Sequence, residues 1–401
     1  MKNLRTLISL LLIILSTNAL AQWVQQNSGT SSTLFAVHFA NGQSGWAVGA
    51  GGTIIHTADG GQNWVPQTSG VSTALNAVWF ADTQQGWAAG DGGVILATTN
   101  GGLTWQPQVS NSVSKLRTIW FFNSDTGYVA GQGGLCLRTV NGGSVWTQIG
   151  TAVNQDIFSL GFADQSTGYL SGRNGNFQKT VTGGVSWTNG PPPPPLDTLK
   201  AVRAPGPTDV YVTTHTGKVL KTDGSGNWST QQPGSSKSLN GAWFTSPTTG
   251  WVAGDSGRVF TTTTGGGQWQ QQSTGLADKL WALHFPNDSA GWCVGANGTV
   301  IKLTLLTTAL GSHTEIPSLR TYPNPANAAM PLSISLPGIE NQTAVAVWFD
   351  AGGRQLPHTQ SIHISPQGTG VLPLSGLPPG TYVLHITAGG KAYRSSVVIT
   401  R

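Results

Sequence analysis

The chain has 401 residues, room for two or three domains, and only 9% of them are charged, against 55 glycines and 16 tryptophans. Few charges, many glycines and regularly recurring aromatic and aliphatic residues exclude disorder and a mainly helical protein, and fit an all-β chain with many tight turns. The net charge of +5 divides into +2 in the first residues, thirteen Lys/Arg against twelve Asp as far as Gly311, and +2 over the last ninety. The main domain is therefore almost neutral and lacks the basic bulk of a nucleic-acid binder, so no nucleic-acid partner is expected.

At the N-terminus, Lys2 and Arg5 precede an apolar run from Leu7 to Leu15, and Ala19-Leu20-Ala21 offers a small-x-small cleavage site. Residues 1–21 read as a secretory signal peptide, with the mature chain starting near Gln22 outside the cytoplasm. No later segment has eighteen uninterrupted apolar residues, so no transmembrane segment is expected.

Beyond the signal, Trp23, Trp64, Trp105, Trp146, Trp187, Trp228 and Trp269 follow one another at intervals of 41 residues. A second slot has the same period: Trp46, Trp87, Tyr128, Tyr169, Val210, Trp251, Trp292. Periods of about 40 to 50 residues mark propellers or solenoids. Each unit holds four strand-like segments, which in the first are Leu34 to Phe39, Gly45 to Gly49, Thr53 to Thr57 and Asn63 to Gln67. "NGQSG", "GAGG" and "ADGG" separate them and supply the positive-φ positions of tight hairpins. Four strands per unit predict propeller blades. The last unit, Leu280 to Leu303, lacks a fourth strand, but "QWVQQNSG" (Gln22 to Gly29) matches "NWVPQTSG" (Asn63 to Gly70). The N-terminal strand is thus expected to complete blade seven and close the ring, removing two exposed edges. In the fifth unit the inner positions slip by one residue, and Pro191 to Pro195 read as a stiff spacer.

Within the first unit, Thr57-x-Asp59-x-Gly61-x-x-Trp64 has the form of the Asp box named for bacterial neuraminidases. The whole unit, "L-x-A-V-x-F…G-W-A-V-G-x-x-G-x-I-x-x-T-x-D-G-G-x-x-W", resembles the photosystem II stability/assembly factor family, within the wider group of Asp-box propellers. The resemblance implies fold and says little of function. In the last ninety residues, "TYPNPA" (Thr321 to Ala326), "LPPGTYVLHI" (Leu377 to Ile386) and "GGKAYRSSVVITR" (Gly389 to Arg401) resemble the C-terminal sorting domain of type IX secretion substrates. That resemblance implies a Bacteroidota-type envelope and export through the periplasm by the type IX machinery. It further implies a sortase that removes the domain, and a passenger released or anchored to lipopolysaccharide. A photosystem role is not expected beside such a signal. Strand-like stretches at Ala344 to Phe349 and Val371 to Leu374 suggest a small immunoglobulin-like sandwich. The expected organisation is a signal peptide (1–21), a seven-bladed β-propeller closed by its N-terminal strand (22–308), a linker (309–319) and the sorting domain (320–401).

Catalysis finds little support. Glycoside hydrolysis commonly needs two carboxylates about 5 to 10 Å apart, yet the propeller has no Glu; Glu315 and Glu340 lie in the linker and sorting domain. Neuraminidases also share an arginine triad and a Tyr/Glu pair. Here Arg117, Arg138, Arg173, Arg203 and Arg258 occupy five different repeat slots. No catalytic residue, cofactor or metal is expected. His38 and His284 share a slot in blades one and seven without a third ligand, and aromatic packing is expected of them. Cys136 and Cys293 fall in distant blades and are expected as two buried thiols. Asp59 and Asp223 should be turn residues, because the slot becomes Asn100, Asn141 and Thr182 in other blades. With them, Trp64, Trp105, Trp146, Trp187, Trp228 and Trp269 form a structural Asp-box set.

Slots that vary between units point to a binding face. The strand four-to-one loops and strand two-to-three turns open on one side, and the Asp boxes on the other. The first side should carry Phe35, Asn76, Arg117, Phe158, Lys200, Asn240 and Trp281 from strand one, with Asp91, Gln132, Arg173, His215 and Asp255 at the turns. Aromatic and basic residues together are typical of binding hot spots. Another slot, His56, Arg138, Lys179, Lys221 and Lys302, suggests a basic ring for acidic partners. The expected function is a secreted or surface-displayed binding module for a protein or glycan. The alternative is a carbohydrate-active hydrolase or lyase using Asp and His on the same face.

Overall fold

A computed structural model describes residues 20–306 except 192 and 194–196, and residues 319–400 except 325, 328–329, 337–339, 351–354 and 389–390. The signal peptide as far as Ala19, most of the proline run, and linker residues 309–318 lie outside the described residues. The chain divides into two compact units, one up to Thr308 and one from Ala309.

Among the described residues the first unit is all strand and short turn, arranged as seven four-stranded sheets. Blade one comprises Leu34–Phe39, Gly45–Gly49, Ile54–Thr57 and Val65–Gln67, joined antiparallel in chain order. Blades two to six repeat this plan. Strand two, "GWAVG" in blade one, is buried at every position, as a central strand between neighbouring blades must be. Its sharp exit uses Gly51 and Gly52 at φ +64° and +72°, where a β-carbon is disfavoured. Blade seven is closed by the N-terminal strand Leu20–Gln26, whose ladder against Val300–Leu306 runs from Leu20↔Leu306 to Gln26↔Val300.

The blades adhere through ring stacking. The strand-two aromatic lies flat on the strand-one Phe of the next blade: Trp46 on Phe80 at 3.5 Å, Trp87 on Phe121 at 3.7 Å, Trp251 on Phe285 at 3.9 Å and Trp292 on Phe39 at 3.6 Å. Glycine at the start of strand two makes room for that Phe, since a β-carbon on Gly86 would come within 2.4 Å of the Phe80 ring. In blade five Tyr211, one residue beyond the periodic slot held by Val210, makes the equivalent stack on Phe244 at 3.8 Å. A slip that preserves the stack is a slip the fold can tolerate.

The strand-four tryptophans bind in a relay. Trp105 and Trp146 donate Nε1–H to Gln67 and Gln108 of the preceding blade at 3.2 and 3.0 Å, and those glutamines donate to Gly101 O and Gly142 O. The buried Trp187 Nε1 has no partner because Ile149 holds the glutamine position. Both cysteines are free and buried; burial pushes the Cys136 thiol up to about 12 and the Cys293 thiol further up.

The second unit packs a three-stranded sheet, Arg320–Tyr322, Leu332–Ser335 and Thr369–Leu372, with a five-stranded sheet. The larger sheet runs Ala326–Asn327, Lys391–Thr400, Gly380–Ala388, Thr343–Asp350 and Gln355–His363. Ile334 and Leu372 from one sheet and Trp348, Leu384, Ile386 and Val397 from the other share a single core, the arrangement of a β-sandwich.

Candidate functional site

Strand one of each blade touches strand one of the next, and that of blade seven touches that of blade one, so the seven form the innermost ring. A bulge near the start of each strand one, between Leu34 and Ala36 in blade one, lets residues three apart both face the axis, in two tiers. The upper tier is Phe35, Asn76, Arg117, Phe158, Lys200, Asn240 and Trp281; together with Lys115 and Arg173 it lines a mouth of about 400 Å³. The lower tier is His38, Trp79, Trp120, Gly161, Arg203, Trp243 and His284, and a cavity of about 140 Å³ reaches it past the mouth. The strand-one residues singled out from sequence thus converge on one axial funnel.

Aromatic, cationic and amide groups share the mouth. Phe35 and Trp281 meet edge to face at 5.5 Å. Arg117 and Lys200 lie over Phe158 at 4.9 and 5.2 Å, and Lys279 over Trp281 at 4.1 Å. Blades two and six carry the same tie: Asn76 donates to Asp91 (2.7 Å) and Leu116 O (2.8 Å), and Asn240 to Asp255 (2.8 Å) and Leu280 O (2.8 Å). Lys115 pairs with Asp91 at 2.8 Å and Lys279 with Asp255 at 3.3 Å. Burial raises the Asp91 carboxyl, but the Lys115 and Asn76 donors and the Arg117 charge outweigh it, leaving it below the ordinary value. Asp156 receives Arg117 at 3.3 Å and Arg173 at 3.9 Å. Gln132 accepts the Lys115 N–H at 3.4 Å, and His215 is tied in through its backbone N–H to Thr198 O at 2.9 Å. Desolvation lowers the Lys200 ammonium, with Lys279 and Arg117 adding repulsion.

The floor is an arc of rings. His284 lies 4.1 Å from Trp243 and 4.3 Å from His38, His38 lies 4.5 Å from Trp79, and Trp79 4.5 Å from Trp120. The Arg203 guanidinium extends the arc, 5.0 Å from the Trp243 centroid. Only Gly161 leaves a gap. Desolvation and the nearby Arg203 charge lower His38 to about 3; desolvation, His38 and Arg203 take His284 well below its ordinary value. Both imidazoles are therefore neutral across the physiological range. Among the described residues no three His, Cys, Asp or Glu side chains are grouped to hold a metal ion.

The floor tier was legible only at its two histidines. Its signal is the one variable residue between a constant aliphatic and the position usually held by Phe in strand one, as in "VHF", "VWF" and "AWF". Different repeat slots also do not keep the arginines apart: Arg117, Arg173 and Arg203 come from three neighbouring blades and reach the same sector of the funnel.

His56, Arg138, Lys179, Lys221 and Lys302 do not project as a free ring. Each sits directly across the ladder from its strand-two aromatic: Trp46↔His56, Tyr128↔Arg138, Tyr169↔Lys179, Tyr211↔Lys221 and Trp292↔Lys302. His56 stacks on Trp46 at 4.7 Å, and the four cations lie 5.0 to 5.9 Å from their partner rings.

The Asp-box turns face away from the funnel. Asp59 Oδ1 accepts the Thr57 hydroxyl (2.8 Å) and the Asn63 N–H (2.9 Å), which together with the Asn63 side chain holds its carboxyl down at about 2. Asn141 accepts the Val145 N–H and Thr182 the Ser186 N–H, both at 3.0 Å, in the same geometry. A short oxygen is all the turn needs. Asp59→Asn should accordingly leave the urea midpoint unchanged while Asp59→Ala lowers it; equal losses in both would show that the charge itself matters.

Residues 15–106 and 69–155, the first half of the propeller, match the family model described as photosynthesis system II assembly factor YCF48, and residues 320–400 match the secretion system C-terminal sorting domain. The chain is thus similar to the first family over the first half of its propeller and to the second over its C-terminal unit. A solved structure of YCF48 bound to D1 peptide shares 22% identity, covers 72% of this chain and 96% of its own, and has a TM-score of 0.61. YCF48 from Cyanidioschyzon merolae gives 20% identity, 71% and 99% coverage, and 0.62. The WD40 propeller domain of Doa1 gives 10%, 71% and 97%, and 0.60. At these identities the likeness is one of fold. A comparison with curated proteins found no match. The sorting domain marks the chain for secretion or export to the outer-membrane surface, and no helix among the described residues is long and apolar enough to cross a membrane.

Proposed function

We propose that the protein is a non-catalytic propeller, exported through its sorting domain, that binds a protein or glycan partner in the axial funnel. The observation that carries this reading is the convergence of Phe35, Phe158, Trp281, Arg117 and Lys200 on one mouth, the residue mixture in which binding energy concentrates. The similar YCF48 fold solved with a peptide favours a protein ligand. A signal peptide over residues 1–21 would deliver the chain to the periplasm, and a sortase would cut within 309–319 and leave the propeller released or anchored to lipopolysaccharide. Against the hydrolase or lyase alternative stand Asp91, whose two oxygens take Asn76 and Lys115, and Asp255, whose Oδ1 takes both Asn240 and Lys279. Turnover of a glycoside panel that vanishes on Asp91→Asn would reverse that preference.

The test is an array of peptides and glycans probed with the full chain. A ligand bound by the wild type should bind roughly 30-fold more weakly to Trp281→Ala, the loss of a central hot spot, and equally well to Leu103→Ala on the Asp-box side. Binding that survives Trp281→Ala and fails with Leu103→Ala would place the site on the wrong side.

A further inference from the structure

We propose that the funnel floor is an anion site in which Arg203 takes a carboxylate of an acidic polypeptide; this deepens the binding reading above. Arg203 comes from the fifth blade, at the edge of the Gly161 gap. Its guanidinium donates to Val202 O at 2.8 Å and weakly to Ser159 Oγ at 3.4 Å and lies over Trp243. Its buried Nε has no partner, and neither has the buried Nε1 of Trp120 on the far side of the gap. Among the described residues no carboxylate pairs with Arg203, and the titratable groups nearest it on the floor, His38 and His284, are neutral. A half-buried cation with a buried, unpartnered Nε and only neutral acceptors is costly unless a counter-charge arrives.

The mouth above repeats the imbalance. Lys115, Arg117, Arg173, Lys200 and Lys279 ring it; Asp197, held by Thr198 and Thr216, acts on Lys200 only through its charge, and the ion-pairing acids are Asp91, Asp156 and Asp255. Those three carboxylates are each engaged by a lysine or arginine, and Lys200 makes no ion pair among the described residues. An anion entering the funnel therefore meets net positive charge from the rim to the floor. The inner cavity of about 140 Å³ admits one acidic side chain or chain end. A uronic acid would have to leave most of its ring in the wider mouth. That difference of volume favours the polypeptide over the acidic glycan.

Calorimetric titration of the full chain with tri-aspartate, amidated tri-asparagine and tri-galacturonate tests the assignment. Tri-aspartate should bind the wild type and raise its melting midpoint, bind Arg203→Met at least about tenfold more weakly, as loss of a charge-assisted pair implies, and recover in part with Arg203→Lys. Tri-asparagine should bind weakly and be indifferent to Arg203→Met. Arg258→Met, on the outer surface, serves as the folded control. Equal tri-aspartate binding by wild type and Arg203→Met overturns the proposal, as does tighter, Arg203-dependent binding of tri-galacturonate. Failure of tri-aspartate to bind the wild type also overturns it. If array ligands respond to Trp281→Ala but not to Arg203→Met, the binding reading stands and the anion site falls.

Discussion

Removing residues 22–26 abolishes cooperative unfolding of the propeller, and Trp23→Ala alone lowers its stability by about 3–5 kcal/mol, the cost of emptying a buried tryptophan site. Trp23 is 3% exposed, packs edge to face on Phe285 at 6.0 Å, and pairs with Leu303 in the middle of the closing ladder. Without the strand, Val300–Leu306 becomes an unpaired edge, and the stacked Phe285 and Trp251 lose the ring that shares their core cluster. A domain whose whole stability is about 5–15 kcal/mol cannot absorb that. Val24, 42% exposed on the same strand, provides the contrast, and its replacement by Ala should change stability by no more than about 0.5 kcal/mol. Near-ultraviolet circular dichroism along a urea series reads all three. A single sharp transition at the wild-type midpoint in the truncated chain would show that the ring does not depend on its closure.

The fold was legible because its code is redundant. One 41-residue interval of Trp, a second aromatic slot and glycine-rich turns all specify the same blade, and the missing fourth strand of the last unit had one match elsewhere in the chain. What lies between the blades also followed, because stacking needs large rings at the repeating positions. The floor of the funnel did not follow in full. Its residues share a slot but not a chemistry, since a channel lining answers to its ligand and not to the lattice of the repeat. Arg203 reads as one more scattered arginine until the slip of blade five is placed in three dimensions. The basic slot misleads for the opposite reason. Its periodicity is real, but it arises from cross-strand pairing with the strand-two aromatics and not from a shared solvent-facing ring. The Asp box is the plainest case: Thr182 accepts the same N–H as Asp59, so the acid's charge is incidental to the turn.

Truncating the chain after Ser395 strands the propeller in the periplasm. Two sequence motifs of the sorting domain, far apart in the chain, are one structural object: Ala326 and Asn327 pair in parallel with Ile399 and Thr400, Asn324 Oδ1 accepts the Val398 N–H at 2.9 Å, and the Thr400 hydroxyl donates to Ala326 O at 3.2 Å. The last strand also pairs with Gly380–Ala388 and buries Val397 and Ile399 in the core. Losing residues 396–401 therefore releases the "TYPNPA" segment and opens the sandwich at once. Ile399→Ala, which costs about 2–5 kcal/mol in a packed core, should reduce surface delivery in proportion to the unfolded fraction. Val398→Thr keeps the backbone donor and changes only an outward side chain, so it should be delivered normally. Fractionation with an antibody to the propeller distinguishes these outcomes. Wild-type surface levels of the truncated chain would mean that the exporter reads a shorter signal than the folded clip.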